Sequence, residues 1–169
     1  MTNTRISRRH WVSALGLALG THLIAIYFAP DLIMRRVIKT VASEVAQPYW
    51  PPPIDHTQRR IVMPSPDLLY AVCAYDLTEG PLRVQLPATY ARYWSIALYN
   101  SRSDNFLTVS GEDLKDQTLD LLIDEPRSTR RGLLLLRVLT GGEPDWLAEA
   151  EQFRRHLTCH SVVETAAVS

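Results

Sequence analysis

The longest uninterrupted apolar pattern in the chain is a run of 19 residues, positions 11–29, that contains no Asp, Glu, Lys or Arg. Arg8 and Arg9 precede this run, and Arg35 and Arg36 follow it. At about 1.5 Å of rise per residue, a helix of this length covers roughly 28 Å, close to the thickness of the hydrocarbon core of a bilayer. The pattern therefore predicts a transmembrane helix over residues 11–29, preceded by a basic N-terminal tail over residues 1–10.

A cleaved signal peptide would begin with a similar pattern. The apolar run is longer than is usual for a signal peptide, no small-x-small cleavage site precedes Pro30, and a second helical pattern follows at once. We therefore expect a retained signal-anchor. Basic residues flank the run equally, so the free amino terminus is what favours a cytoplasmic N-terminus. The interpretation is a single-pass membrane protein, with its globular domain outside the cytoplasm and the lipid bilayer as its first partner.

Residues 30–46 show a second periodicity, in which Met34, Val37, Ile38, Val41 and Val45 share one face of a helix. This pattern predicts a separate amphipathic juxtamembrane helix. Its apolar face requires a partner, which is the bilayer surface, a second copy of the chain in a homo-oligomer, or the globular domain. Residues 47–60 are rich in proline and predict a semi-rigid, extended linker.

The remainder, residues 61–169, alternates short apolar segments with turn-forming residues, which is typical of a β-rich domain. The predicted strands cover residues 61–63, 68–75, 82–86, 93–99, 106–109, 119–123 and 133–139. Residues 146–156 predict one C-terminal helix, and Thr140-x-x-Glu143 before it has the spacing of a capping box. The fold class is therefore mainly β: an antiparallel β-sandwich-like domain with one C-terminal helix, preceded by the two N-terminal helices.

The charges are distributed unevenly along a chain that is neutral overall. Of 18 basic and 18 acidic residues, the first 39 positions hold six basic residues and one acid. The remaining positions hold twelve basic and seventeen acidic residues. A basic membrane-proximal segment suits anionic head groups, whereas an acidic domain is unsuited to the phosphates of nucleic acids. We therefore exclude nucleic acid as a partner.

The chemistry-bearing residues do not form a familiar catalytic pattern. The sequence has neither G-x-S-x-G nor a glycine-rich phosphate loop. Cys73 and Cys159 are expected to be buried thiols, with a disulfide between them as the alternative in an oxidising compartment. His156, Cys159 and His160 are better explained as a solvated helix end than as metal ligands. We expect no metal, no cofactor and no catalytic residue.

Several motifs resemble the domain of unknown function 1254 family, and they occur in the family's order. They are Ser65-Pro-Asp-Leu-Leu-Tyr70, Asp76-Leu-x-x-Gly80-Pro81, Leu86-Pro87, Arg92-Tyr93-Trp94 and the segment from Leu98-Tyr99-Asn100 to Asn105-Phe106. The later run over residues 129–139, Gly-Glu-Pro-Asp145 and Gln152 extend the resemblance over most of residues 61–158. The resemblance implies an antiparallel, β-rich envelope domain of bacteria, and it implies no established reaction.

A polar set at the junctions between central strands and their loops is the candidate ligand site. Its members are Asp67, Tyr70, Arg92, Tyr99, Asn100 and Asp104. Groups of this kind bind small, oxygen-rich ligands, although turn formation and strand packing also account for them. The preferred hypothesis is a non-catalytic, membrane-anchored envelope domain that acts by binding a protein or a small ligand. The alternatives are a hydrolase-like or other enzyme that uses Asp67, Tyr70 and Arg92, and a scaffold that oligomerises through the N-terminal helices.

Overall fold

The computed structural model describes residues 7–41, 44–54, 65–78, 80–87, 89–114, 117–124, 129–141 and 143–162. Their helices are α1 (Arg8–Val41), α2 (Gly111–Leu114) and α3 (Pro144–Arg155). Their strands are β1 (Pro48–Tyr49), β2 (Leu68–Asp76), β3 (Leu82–Leu86), β4 (Trp94–Asn100), β5 (Asn105–Ser110), β6 (Leu119–Ile123), β7 (Arg131–Leu139) and β8 (Thr158–Ser161). The predicted strand 61–63, positions 55–60 of the predicted linker and positions 1–6 of the tail lie outside the described residues.

The described strands form two antiparallel sheets that share one hydrophobic core. One sheet has the order β1-β2-β7-β4-β5 and the other has the order β6-β3-β8. Leu136 of β7 and Ile96 of β4 face this core from the first sheet, Val84 of β3 faces it from the second, and α3 contributes Phe153. The antiparallel sheets and the C-terminal helix agree with the prediction. Because α1 alone has 34 residues, the fold is mixed α/β rather than mainly β.

The long helix α1 corrects the predicted division into two N-terminal helices. Pro30 lies inside it, and α1 continues to Val41 at a length of about 51 Å. A proline removes one main-chain donor, which bends a helix without always ending it. The second half is then stabilised by packing, because Met34 is buried against the first sheet and Val37 and Ile38 pack beside it. Of the three partners considered for this face, the described contacts are with the domain.

The first part of α1 is apolar and is not covered by the domain. Its most apolar window of 18 residues has a mean hydropathy of 1.8, and none of that window is buried. Soluble domains rarely expose a continuous apolar surface of this size. By length and composition the helix is suited to a signal sequence or a membrane anchor. Its exposed large apolar side chains are Trp11, Val12, Leu15, Leu17, Leu19, Leu23, Ile24, Ile26, Tyr27 and Phe28.

Strand prediction was most accurate where apolar residues recur. The segments 82–86 and 119–123 match β3 and β6 to the residue, and the predictions for β2, β4, β5 and β7 differ by at most two residues at either end. The short strands β1 and β8 were not predicted. Pro48 of β1 pairs with Cys73 and Tyr49 pairs with Val72, so this part of the predicted linker lies along the sheet edge. Edge strands tolerate proline, because a missing donor there interrupts no ladder.

The predicted capping box at α3 is wrong. The residue before the helix, Glu143, takes the N-cap position, and no side chain caps the helix. The Thr140 hydroxyl instead donates to the Asp67 carbonyl at 3.0 Å, and the Thr140 N–H donates to the same oxygen at 2.8 Å. Tertiary hydrogen bonds to the start of β2 have replaced the local cap, while Pro144 does begin the helix as expected.

A disulfide joins the two sheets. Cys73 of β2 and Cys159 of β8 are bonded, with a Cα–Cα distance of 6.8 Å, so the expectation of buried free thiols is wrong and its alternative is correct. Sequence spacing did not reveal this pairing, because β8 was not predicted and 86 positions separate the cysteines. Disulfides persist in oxidising compartments, so the bond suggests a location outside the cytoplasm.

Arg154 is the most deeply buried charged side chain among the described residues, and it fixes the segment after β1. From Nη1 it donates to the carbonyls of Pro51 at 2.7 Å and Tyr70 at 2.8 Å, and from Nε it donates to Glu151 at 2.6 Å. Trp50 returns a bond from Nε1 to the Arg154 carbonyl at 3.0 Å. This network attaches residues 50 and 51 to α3 and β2.

Reduction of the disulfide should lower the free energy of unfolding by about 2–4 kcal/mol, because the long loop that it closes is released in the unfolded chain. The measurement is urea unfolding of the full chain in neutral detergent, with and without reductant. The double variant Cys73→Ala/Cys159→Ala is the control and should not respond to reductant. Titration of two free thiols in protein purified without reductant would contradict the assignment.

Replacement of Arg154 should cost far more than replacement of its neighbour. Arg154→Met leaves the Pro51 and Tyr70 carbonyls without their donor and removes one of the two arginines that pair with Glu151, so we expect a loss of about 3–5 kcal/mol. Arg155→Met is the matched control, since Arg155 pairs with the same Glu151 but its side chain is 54% exposed, and we expect a loss below about 1 kcal/mol. Equal shifts of the urea midpoint in the two variants would refute this role of Arg154.

Candidate functional site

The structure separates the six predicted site residues into groups at opposite ends of the five-stranded sheet. Asp67 precedes β2 and Arg92 precedes β4, at the end where β7 finishes. Asn100 ends β4, and Asp104 follows in the turn to β5. The seven residues of β4 span about 20 Å, so no single small ligand contacts both ends.

Asp67 acts through its main chain. Its carbonyl accepts both hydrogen bonds from Thr140, which fixes the start of β2 to the end of β7. Its side chain is exposed and makes no ion pair with any described residue. The position is that of a turn residue, and no bond joins it to Arg92 or Tyr70.

Arg92 attaches α3 to the end of the sheet. Its Nη1 lies 2.5 Å from Glu149 Oε2, and its guanidinium carbon lies 4.2 Å from the centre of the Trp146 ring. The hydrogen bond that Arg92 donates to Glu149, with a smaller contribution from the Tyr90 hydroxyl, raises the pKa of Arg92 above its ordinary value. A ligand anion at this position would have to displace Glu149.

Asn100 and Asp104 hold the β4–β5 turn. Asn100 Oδ1 accepts the N–H of Arg102 at 2.9 Å and that of Asp104 at 3.0 Å, and Asn100 Nδ2 donates to Asp104 Oδ2 at 2.9 Å. Ser103 between them has φ +69°, a left-handed conformation that needs such support. Asn100 is buried, so its side chain is directed into the turn and serves the backbone there.

Tyr70 belongs to a row of polar side chains that crosses the sheet. Tyr70 of β2 is directly opposite Arg137 of β7, and Arg137 is directly opposite Ser95 of β4. Residues directly opposite one another project from the same face of a sheet, so the three side chains are neighbours. Tyr99 lies on the same face of β4, four residues after Ser95. Its hydroxyl reaches the row and accepts a long bond of 3.4 Å from Arg137 Nη2.

The row is rich in donors that have no acceptor. Arg137 Nε and Ser95 Oγ are buried and have no hydrogen-bond partner, and Ser95 is 1% exposed. Tyr70 Oη accepts the N–H of Ser65 at 3.1 Å, which leaves its own hydrogen available. Within the described ranges, no carboxylate pairs with Arg137. We define Tyr70, Ser95, Tyr99 and Arg137 as the polar row.

The sequence analysis selected half of this row. Tyr70 and Tyr99 were chosen, whereas Ser95 was missed because a single serine in an apolar strand carries no signal. Arg137 is the one charged residue in the otherwise apolar segment 132–139, and such a charge is expected near a strand end or in a pair. It is the third residue from the end of β7, and that isolated charge was the signal that pointed to the row.

No metal centre follows from the described part of the chain. There, no three His, Cys, Asp or Glu side chains are grouped so that they could hold a metal ion. Of the three residues considered for such a role, Cys159 is bonded to Cys73, and His160 alternates with it on the exposed side of β8.

Comparison with known proteins identifies a family and a shared fold. The family model described as "Protein of unknown function (DUF1254)" matches residues 46–161. No curated protein matches the chain. A crystal structure of a Vibrio parahaemolyticus protein is similar with a TM-score of 0.59 at 13% identity, over 81% of this chain and 36% of that one. A crystal structure of an uncharacterised Burkholderia cenocepacia protein has a TM-score of 0.48 at 17% identity, over 85% of this chain and 42% of that one.

Both solved structures are distant from this chain in sequence and longer than it. The first similarity shows a common fold, since its identity is far below the level at which function transfers. The chain spans well under half the length of either solved structure.

Removal of the Asn100 side chain should destabilise the turn without touching the polar row. Asn100→Ala leaves two main-chain N–H groups without their acceptor, so we expect a loss of about 1–3 kcal/mol in the free energy of unfolding. Thr108→Ala is the control, because the Thr108 hydroxyl bonds only to Asn105 at the exposed surface. Urea unfolding checks both variants, and an Asn100→Ala midpoint equal to that of wild type would disprove the structural role.

Proposed function

The chain belongs to the DUF1254 family, and we propose that it is a membrane-anchored binding domain that faces the periplasm and takes part in no reaction of its own. The observation that carries this proposal is the continuity of α1. One helix presents an exposed apolar run of bilayer length and then packs its buried Met34 against the domain. A segment built only for export needs no such contact with the mature fold.

The compartment is supported by a second, independent feature. The Cys73–Cys159 disulfide joins the two sheets inside the core and would be kept reduced in the cytoplasm. The flanking charges do not favour either orientation, so the disulfide has more weight than charge counting. The domain then lies on the periplasmic side of the bacterial inner membrane, with residues 1–10 in the cytoplasm.

Binding is favoured over catalysis by the way the polar residues are used. Two of the three residues of the enzyme hypothesis are engaged in holding the fold together: Asp67 through its carbonyl, and Arg92 through Glu149 and Trp146. The third, Tyr70, belongs to the polar row. The polar row, by contrast, has unused donors and no base or nucleophile pair in hydrogen-bond contact. Such an arrangement suits recognition of a ligand, and α1 holds it at a fixed place beside the membrane.

Cysteine accessibility in cells tests this topology. A cysteine introduced as Glu112→Cys, at an exposed position of α2, should react with a membrane-impermeant maleimide in intact cells. A cysteine introduced as Thr2→Cys should react only after lysis. Both variants should remain in the membrane after carbonate extraction, with residues 1–30 present by mass spectrometry.

The opposite labelling pattern would overturn the orientation. A mature protein recovered in the aqueous fraction without its first 30 residues would overturn the anchor and make the run a cleaved signal. Wild type, whose cysteines are bonded, is the control for background labelling.

A further inference from the structure

The polar row combines a permanent positive charge with donors that nothing in the described structure accepts. We propose that Arg137, Ser95, Tyr70 and Tyr99 form a binding site for an oxyanion, a carboxylate or phosphate group carried by a small solute. This inference rests on the proposed binding function and names the class of its ligand. Its test uses purified protein, so it fails or succeeds independently of membrane topology.

The first argument is the charge of Arg137. The guanidinium is positively charged, and the side chain is half-buried on the outer face of the central strand. Its recorded partner is a phenol hydroxyl at 3.4 Å, and its buried Nε has none among the described residues. Burying a donor without a partner costs free energy, and a charged donor gains most when it is paired with an acceptor of opposite charge. An anion bound from outside would provide that pair.

The second argument is that the groups around Arg137 are hydrogen-bond donors and not carboxylates. Ser95, Tyr70 and Tyr99 each have a hydroxyl hydrogen for which the described residues supply no acceptor. No carboxylate stands in the row, which disfavours a metal cation or an amine. Several donors beside one guanidinium match the lone pairs of a carboxylate or phosphate, which arginine binds through two parallel bonds.

The third argument is the shape of the surroundings. Val72, Leu135 and Ala97 form the next row along the same face, and Leu68 and Leu139 lie on the other side. These apolar walls lower the local dielectric and strengthen an ion pair made between them.

Tyr99 connects the site to the anchor. Its ring packs in the cluster that holds Met34, Val37 and Ile38 of α1, while its hydroxyl meets Arg137. An anion that binds the Arg137 guanidinium would therefore affect the hydrogen bond of Tyr99, a residue that packs in the same cluster as α1. The site lies on the face of the sheet where the membrane helix docks.

Thermal unfolding of the full chain in neutral detergent tests the site. Sodium phosphate and sodium acetate are each compared with sodium chloride at equal ionic strength, so that general screening is held constant. We expect at least one oxyanion to raise the wild-type midpoint, and titration calorimetry with that anion to give its affinity. Arg137→Met should weaken binding by tenfold or more, and Ser95→Ala should weaken it by several-fold.

Arg83→Met is the matched control, since Arg83 pairs with Asp120 on the exposed face of the second sheet. This variant should keep wild-type affinity. If Arg137→Met does not fold, Ser95→Ala decides, because it removes only an unpartnered hydroxyl.

A comparison of thermal midpoints in nanodiscs of phosphatidylglycerol and of phosphatidylcholine identifies the source of the anion. Protection by the anionic lipid alone, lost in the Ser95 and Arg137 variants, supports the same site with a head group as ligand. Equal responses in wild type and these variants, or no response to any oxyanion, would overturn the proposal.

Discussion

The structure depends on β7, the central strand of the five-stranded sheet. All nine of its residues pair with β2 on one side, and seven of them, residues 132–138, pair with β4 on the other. One face packs into the core between the sheets, where Leu134 and Leu136 are fully buried. The other face needs a separate cover, and at Leu133 that cover is the end of α1. A strand of this kind leaves no free edge, and α1 packs on the domain because the second face of the strand needs a cover there.

Arg137 is the exception to that constraint. Arg131 begins the strand and pairs with Asp76, and the remaining residues of β7 are leucine, valine or glycine. A methionine of similar length in place of Arg137 would fit this pattern without any desolvation cost. Retention of a guanidinium, with serine and tyrosine on its flanking strands, reduces the stability that an all-apolar face would provide. Sites where a sequence departs from its own folding pattern are commonly sites of function. The same comparison separates the polar row from Arg92 and Asn100, whose hydrogen bonds stabilise the fold that contains them.

The sequence predicted the strands that bury alternating or continuous apolar residues, because that pattern follows directly from the core that they share. It failed where one local signal was outweighed by a tertiary contact. Pro30 indicated a helix end, but packing of Met34 on the sheet stabilises the helix beyond it. Thr140 indicated a helix cap, but the Asp67 carbonyl competes for its hydroxyl. The candidate residues were predicted as one cluster because their neighbourhood was judged along the chain, whereas the antiparallel order places Arg92 and Asn100 at opposite strand ends. Ser95 became visible only through the register that sets it beside Arg137.

Continuity of α1 has a mechanical consequence. The helix has no loop between its apolar run and its contact with the sheet, and Arg102 of the β4–β5 turn lies over the Tyr27 ring at 5.3 Å. A single-pass helix adjusts to a thicker or thinner bilayer by changing its tilt. Without a flexible joint, that tilt passes unchanged into the sheet, so the domain would lean as the lipid composition varies. Bilayer thickness would thereby set the angle at which Arg137 and its neighbours meet molecules moving along the membrane surface.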